Sequence, residues 1–181
     1  YLMRHQHNTP FEMCTIKFHV KLPIFVARQW MRHRSSYNEI SARYSVVKEE
    51  FYIPEASKIN PQSKKNHQGR DENEMFIEDI TNQISETIKN VTDTSVKGYL
   101  ELLKENVAKE LARTLLPVSQ YTEFYWTVNL RNLFHFLELR SDSHAQYEIR
   151  EYADKICELA KIWVPHSYEA FEKYSLKAIT L

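Results

Sequence analysis

Residues Arg28 to Ser45 read RQWMRHRSSYNEISARYS and set four arginines (Arg28, Arg32, Arg34, Arg43), His33, Asn38 and Glu39 within eighteen positions of a chain whose formal net charge is zero. Arginine is a planar, permanently charged fork that binds phosphate or carboxylate with two donors at once, so this density points to an anionic ligand. Trp30, Met31, Tyr37, Ile40 and Tyr44 interleave with the charges. A purely solvated face would not carry them, and partly buried arginines need partners. The ends of the stretch suggest how it is held. Pro23, just upstream, can open a helix through Trp30 on which Arg28 and Arg32 fall four apart. From Glu39 to Val47, Ile40 and Ala42 alternate with Ser41 and Arg43, the pattern of a short strand with Glu39, Ser41 and Arg43 on one side.

Outward from this stretch, Ile16, Phe18, Val20 and Leu22 alternate with Lys17, His19 and Lys21, which predicts a half-buried strand over 15–22. Tyr1 to His7 reads as the end of a helix broken by Asn8, Thr9 and Pro10. Phe51 to Pro54 predicts another short strand, and the polar residues 55–72 a surface loop. Ile77, Ile80, Ile84, Ile88, Val91, Tyr99 and Leu102 recur at helical spacing, so a long helix runs from about Met75 to Lys104, with Gly98 marking close packing or a bend. A shorter helix over 107–116 would turn Val107, Leu111 and Leu115 inward before Pro117. Tyr121 to Val128 is aromatic and β-branched, hence a strand. Asn129 then caps a helix closed by Arg140, with Leu130, Leu133, Phe134 and Leu137 inward. Ser141, Asp142 or Ser143 caps a last long helix to about Trp163 that buries Ile149, Tyr152, Ala153, Ile156 and Leu159. The fold expected is α+β: one domain over 1–181, with a small mixed β-sheet packed with long helices.

Composition narrows the function. With 24 basic and 24 acidic residues the chain lacks the charge of a nonspecific nucleic-acid binder. Gly69 and Gly98 are its only glycines, which excludes a glycine-rich phosphate loop, so side chains and helix ends must hold any nucleotide. His5 and His7 suggest a metal pair, but no carboxylate or cysteine set stands at ligand spacing, and no metal is expected. Cys14 and Cys157 sit in apolar patterns, no apolar run approaches a membrane span, and no signal peptide opens the sequence; a reduced cytoplasmic setting is expected. From the residues alone the function is nucleotide or flavin binding. An RNA-binding module and a metal-dependent nucleotide hydrolase stay as alternatives, the first for its mixed arginines and aromatics, the second for eight histidines.

Five ordered segments carry a resemblance: HNTPFE from His7 to Glu12, RHR followed by NExSxRY, ELARxxLP, TVNxRxxxxFxxLR, and DSHAQxEI. Together they resemble the flavin-dependent thymidylate synthases over nearly the whole chain. The departure is a spacing of six residues, not seven, between Arg34 and Ser41; both flanks stay in register, so the expectation is a residue missing from the sequence. Family members carry a further segment before the position of Tyr1, and an absent N-terminal portion is expected here too.

The resemblance implies reductive methylation of dUMP to dTMP, with FAD as hydride carrier, NADPH as reductant and methylenetetrahydrofolate as one-carbon donor. It places His7, Thr9, Arg32, His33, Arg34, Glu39, Asn129, Arg131 and His135 at the flavin. It places Gln29, Arg32, Glu39, Ser41, Ala42, Arg43, Arg113 and Arg140 at dUMP, with Arg140 activating the uracil ring and Ser41 orienting the nucleotide. It further implies a homotetramer with shared sites, and neither nucleic-acid nor membrane partners. Without it, Arg113 would pair with Glu110 and Arg140 would compensate a helix end.

Overall fold

The computed structural model describes residues 1–65 and 68–176. Seven α-helices and three strands are assigned among them: α1 Thr9–Glu12, β1 Thr15–Pro23, α2 Ile24–Trp30, β2 Ser36–Glu39, α3 Glu78–Lys104, α4 Lys109–Ala112, β3 Tyr121–Asn129, α5 Leu130–Arg140, α6 Tyr147–Trp163 and α7 Pro165–Tyr174. The strands hydrogen-bond in the order β1-β3-β2. The Leu130 amide donates to the Cys14 carbonyl and the Ile24 amide to that of Gln120, so β1 and β3 run antiparallel with partner numbers summing to 144. The Ile40 amide donates to the Glu123 carbonyl and Trp126 Nε1 to Ser35 Oγ, so β2 opposes β3 as well. The expected α+β class, a small sheet with long helices, is what the chain adopts. The pairing is antiparallel where a mixed sheet was expected, because β3 opposes both of its neighbours.

The chain forms two compact units. The first comprises Tyr1–His19, Gln29–Tyr37 and the described residues of Tyr125–Leu181. Its core is aromatic: Trp30, Trp126 and Phe136 meet with ring centroids 4.6–5.1 Å apart, and Phe134 stacks on Phe171 at 4.4 Å. Such pairs add about 0.5–1.5 kcal/mol each beyond the area they bury. Asn129 caps α5 as its sequence predicts, its Oδ1 accepting from the Asn132 amide at 2.9 Å. Leu130, Leu133, Phe134 and Leu137 are buried on α5, and the helix ends on Arg140. Four expectations change here. Pro10 opens α1 instead of breaking a helix, since a missing amide costs nothing in a first turn. Arg32 lies in the turn after α2, not on the helix beside Arg28. Helix α6 starts at Tyr147 with Gln146 at its N-cap, because Asp142 is spent on the His144 amide at 2.8 Å. Leu159 is exposed, and α7, which packs Tyr168 and Phe171 into the core, was not foreseen.

The second unit comprises Val20–Arg28 and the described residues of Asn38–Phe124. Leu22, Val26, Tyr99, Ala112 and Phe124 form its core. Helix α3 buries Thr81, Thr92 and Tyr99; both threonine hydroxyls donate to carbonyls one turn back, Ile77 and Ile88, which removes the cost of burying them. Its apolar residues are less covered than their periodicity implies, with Ile80, Val91 and Leu100 exposed. A Cβ at Gly98 would lie 3.2 Å from Leu115 Cδ1, the close packing its position suggested. Three expectations fail in this unit. The strand ends at Glu39, and Ser41–Ser45 turns, the Tyr44 and Ser45 amides donating to the Ser41 carbonyl, so Glu39, Ser41 and Arg43 do not share a strand face. Only a bridge between Phe51 and Gln120 stands for the strand expected at 51–54. The helix over 107–116 is α4 followed by a 3-10 turn over Arg113–Leu115, and Leu111 and Leu115 are exposed.

Candidate active site

In the first unit, the turn after α2 and the end of α5 bring Arg140 against His33. Arg140 Nε donates to His33 Nε2 at 2.9 Å, and its Nη2 donates to the Gln29 carbonyl at 3.2 Å. A guanidinium can only donate, so His33 must carry its proton on Nδ1. His33 is buried, 8% exposed, with its ring 5.0 Å from that of Phe136. Burial, then the charge of Arg140, then His135, pushes its pKa from 6.5 down to about 4, so the imidazole is neutral at neutral pH. Burial and the neighbouring Arg32 charge also lower the pKa of Arg140. The His135 ring stands 6.0 Å from that of His33.

The remaining arginines follow. Asn132 Nδ2 donates to the Arg34 carbonyl at 3.0 Å and Asn132 Oδ1 accepts from Arg131 Nη1 at 3.3 Å, tying the RHR turn to the first turn of α5. Arg131 lies 3.6 Å from Glu12, and His135 3.6 Å from Glu138. No described carboxylate pairs with Arg32 or Arg34, which leaves uncompensated positive charge beside a neutral imidazole and aromatic rings. That donor set fits a phosphorylated ligand with a planar ring, as FAD is. Arg131 and His135 also line a cavity of about 230 Å³ with Asn8, Phe11, Phe134 and Phe171. His7 packs on Tyr1 and Thr9 begins α1; neither lines that cavity.

In the second unit, Glu39, Ser41, Ala42 and Arg113 line a cavity of about 340 Å³ together with Gln120, Tyr121 and Thr122. Thr122 Oγ1 donates to Glu39 Oε1 at 2.6 Å. Arg43 is not on its lining: its guanidinium bonds Glu110 at 3.1 and 3.2 Å. Arg113, for which Glu110 was the obvious partner, is left exposed at the cavity. Gln120, Thr122, Gln146 and Glu148 are among the residues at these two sites to which the sequence assigns no role. Thr122 sits in β3, and Gln120 just before it, where the alternation shows burial but not purpose. Gln146 takes the amide of Gln29, and Gln146 Nε2 donates in turn to the buried Glu148 at 2.8 Å. A glutamate in the first turn of a helix looks like a dipole partner, and only its burial tells otherwise.

The model of the thymidylate synthase complementing protein family matches residues 1–166. The flavin-dependent thymidylate synthase of Gluconobacter oxydans is 51% identical over 185 residues, covering 100% of this chain and 60% of that protein. That of Rickettsia bellii is 50% identical, covering 97% and 64%. The chain thus spans about 60% of the length of the curated relatives it matches. Among solved structures, the UMP/dUMP methylase PolB from Streptomyces cacaoi bound with 5-Br UMP superposes with a TM-score of 0.89 at 35% identity, covering 97% of this chain and 80% of that one. The same enzyme bound with 5-Br dUMP gives 0.87 at 36%. A family match over 166 residues, on a fold shared with a nucleotide methylase, is decisive: the chain belongs to the thymidylate synthase complementing proteins, the family of the flavin-dependent thymidylate synthases.

Proposed function

We propose that the complete protein is a flavin-dependent thymidylate synthase that methylates dUMP reductively to dTMP. The carrying observation is the guanidinium of Arg140, held by His33 Nε2 and the Gln29 carbonyl with its other donors unspent among the described residues. Such a preorganised cation beside the carbonyl and N3 edge of uracil stabilises the negative charge that develops as the ring carbon becomes nucleophilic. Neutral His33 serves this by accepting: a protonated imidazole would repel Arg140 and give it no lone pair. When bound, FAD supplies hydride, with NADPH as its reductant and methylenetetrahydrofolate as the one-carbon donor.

Arg32, His33, Arg34, Asn129, Arg131 and His135 hold the flavin in this proposal, with His7, Thr9 and Glu39 as further contacts. Glu39, Ser41, Ala42, Arg43 and Arg113 serve dUMP, together with Gln29, Arg32 and Arg140. Ser41 acts as an orienting hydroxyl; its Oγ accepts from the Arg43 amide at 3.3 Å, and among the described residues no histidine or lysine is hydrogen-bonded to it to act as a base. A homotetramer with shared sites follows from the same reading, supported by the exposed Ile80, Val91 and Leu100 of α3. A cytoplasmic setting accords with free Cys14 and Cys157, and no described helix is long and apolar enough to cross a membrane.

The test is dTMP formation by the full-length protein from dUMP and methylenetetrahydrofolate, with and without FAD and NADPH. Product should require both. Ser41→Ala should retain turnover and Arg140→Ala lose nearly all of it; equal loss in both would remove Arg140 from its assigned role.

A further inference from the structure

A chain of four side chains and one backbone carbonyl runs through the first unit with a fixed direction. Gln146 Nε2 donates to Glu148 Oε2 at 2.8 Å, and Glu148 is 6% exposed. Gln29 Nε2 donates to Gln146 Oε1, and the Gln29 backbone carbonyl accepts from Arg140. A carboxylate accepts hydrogen bonds and cannot donate them, so Gln146 must face Glu148 with its NH₂ end. Its oxygen then faces Gln29, which must in turn spend its own NH₂ there. By the geometry of a planar amide, the side-chain oxygen of Gln29, Oε1, is left pointing away from the relay. No described residue donates to it, and Gln29 is half-buried beside Arg140.

We propose that Glu148 and Gln146 are positioning residues that fix the Gln29 side chain with its oxygen toward the ligand, so that Gln29 and Arg140 together read an imide edge, O=C–N–H. Arg140 donates to the carbonyl and Gln29 Oε1 accepts from the N–H. A lone glutamine offers either end of its amide, since both faces of the group are nearly the same shape. The buried glutamate removes that freedom at two residues' distance. The ligand's identity rests on the reaction proposed above: uracil carries the imide edge, and so does the pyrimidine ring of a flavin.

The experiment is calorimetric titration of flavin-loaded, full-length enzyme with dUMP and with dCMP. The two nucleotides are close in size, but dCMP presents a lone pair where dUMP presents N3–H. Wild type should favour dUMP, and Glu148→Gln, which can stand in the chain in either direction, should shrink the dUMP-to-dCMP affinity ratio about tenfold, the order of one hydrogen bond. Gln146→Leu, at a half-buried position, should do the same and serves if Glu148→Gln does not fold. A glutamate that only supported the helix would weaken both nucleotides alike and leave the ratio in place. Should the flavin own the imide edge, the nucleotide ratio would hold while FAD affinity fell about tenfold in both variants, and the relay would stand with that ligand. An unchanged ratio together with unchanged FAD affinity overturns the proposal. Wild-type protein that retains FAD and binds no dUMP overturns the thymidylate synthase reading, and the relay's ligand with it.

Discussion

His33 should make this protein lose stability as the solution turns mildly acidic. Its pKa is about 4 in the fold against 6.5 ordinarily, through burial first and then Arg140 and His135. Between those two values the unfolded chain binds a proton that the folded chain refuses, so stability rises with pH across the window and is lost as pH falls from 6.5 toward 4. Each pH unit is worth up to about 1.4 kcal/mol, which sets a ceiling of about 3 kcal/mol for the whole window. His135 is exposed and Arg140 half-exposed, so solvent screens their share and leaves about 1–2 kcal/mol. His33→Gln is the informative substitution: its oxygen can still accept from Arg140 Nε, yet it cannot titrate. Urea unfolding of both proteins between pH about 7.5 and about 4.5 should show wild type losing about 1–2 kcal/mol more than the variant. Proton NMR of the ring would follow the same event directly. A His33 ring titrating at or above 6.5, or the same pH dependence in both proteins, would refute the neutral imidazole and the Arg140 geometry built on it.

Further outcomes follow from packing and exposure. Gly98→Ala should raise thermal stability by about 0.5 kcal/mol, since alanine suits a helix better and the crowding falls on Leu115 Cδ1, the end of an exposed side chain; a lower melting temperature would show that Leu115 cannot yield. Leu137→Ala, fully buried on α5, should cost about 2–5 kcal/mol in urea unfolding, whereas Leu139→Ala, 45% exposed, should stay within about 0.5 kcal/mol. Glu110→Ala should cost less than about 1 kcal/mol, because its pairing with Arg43 is open to solvent on both sides, while releasing Arg43 to tighten dUMP binding in calorimetry. Weaker dUMP binding in Glu110→Ala would mean that the pair itself orders the turn over Ser41–Ser45.

Much of the local structure was legible because it obeys short periods. The alternation of Ile16, Phe18, Val20 and Leu22 gave β1, and the Asn129 cap and the spacing of Leu130, Leu133 and Leu137 gave α5 almost to the residue. What failed was wherever a competing local bond won. Asp142 was spent on a turn and so could not cap α6, and the Ser41 turn ended a strand whose alternation continued on paper. The arginine-rich stretch and its companion segments identified the family, since residue types at ordered positions survive in the sequence itself. The partners of those arginines did not. That Arg140 would rest on a neutral His33, that Arg43 would turn to Glu110, and that a buried Glu148 would reach Gln29 through Gln146 are distances between residues 67 to 119 positions apart. Side-chain charge and periodicity are properties of neighbours along the chain, so the sequence settled which groups were present. Direction of hydrogen bonding, burial and the pKa shifts that follow from them depend on what the folded chain sets opposite each group, and only the tertiary structure decided those.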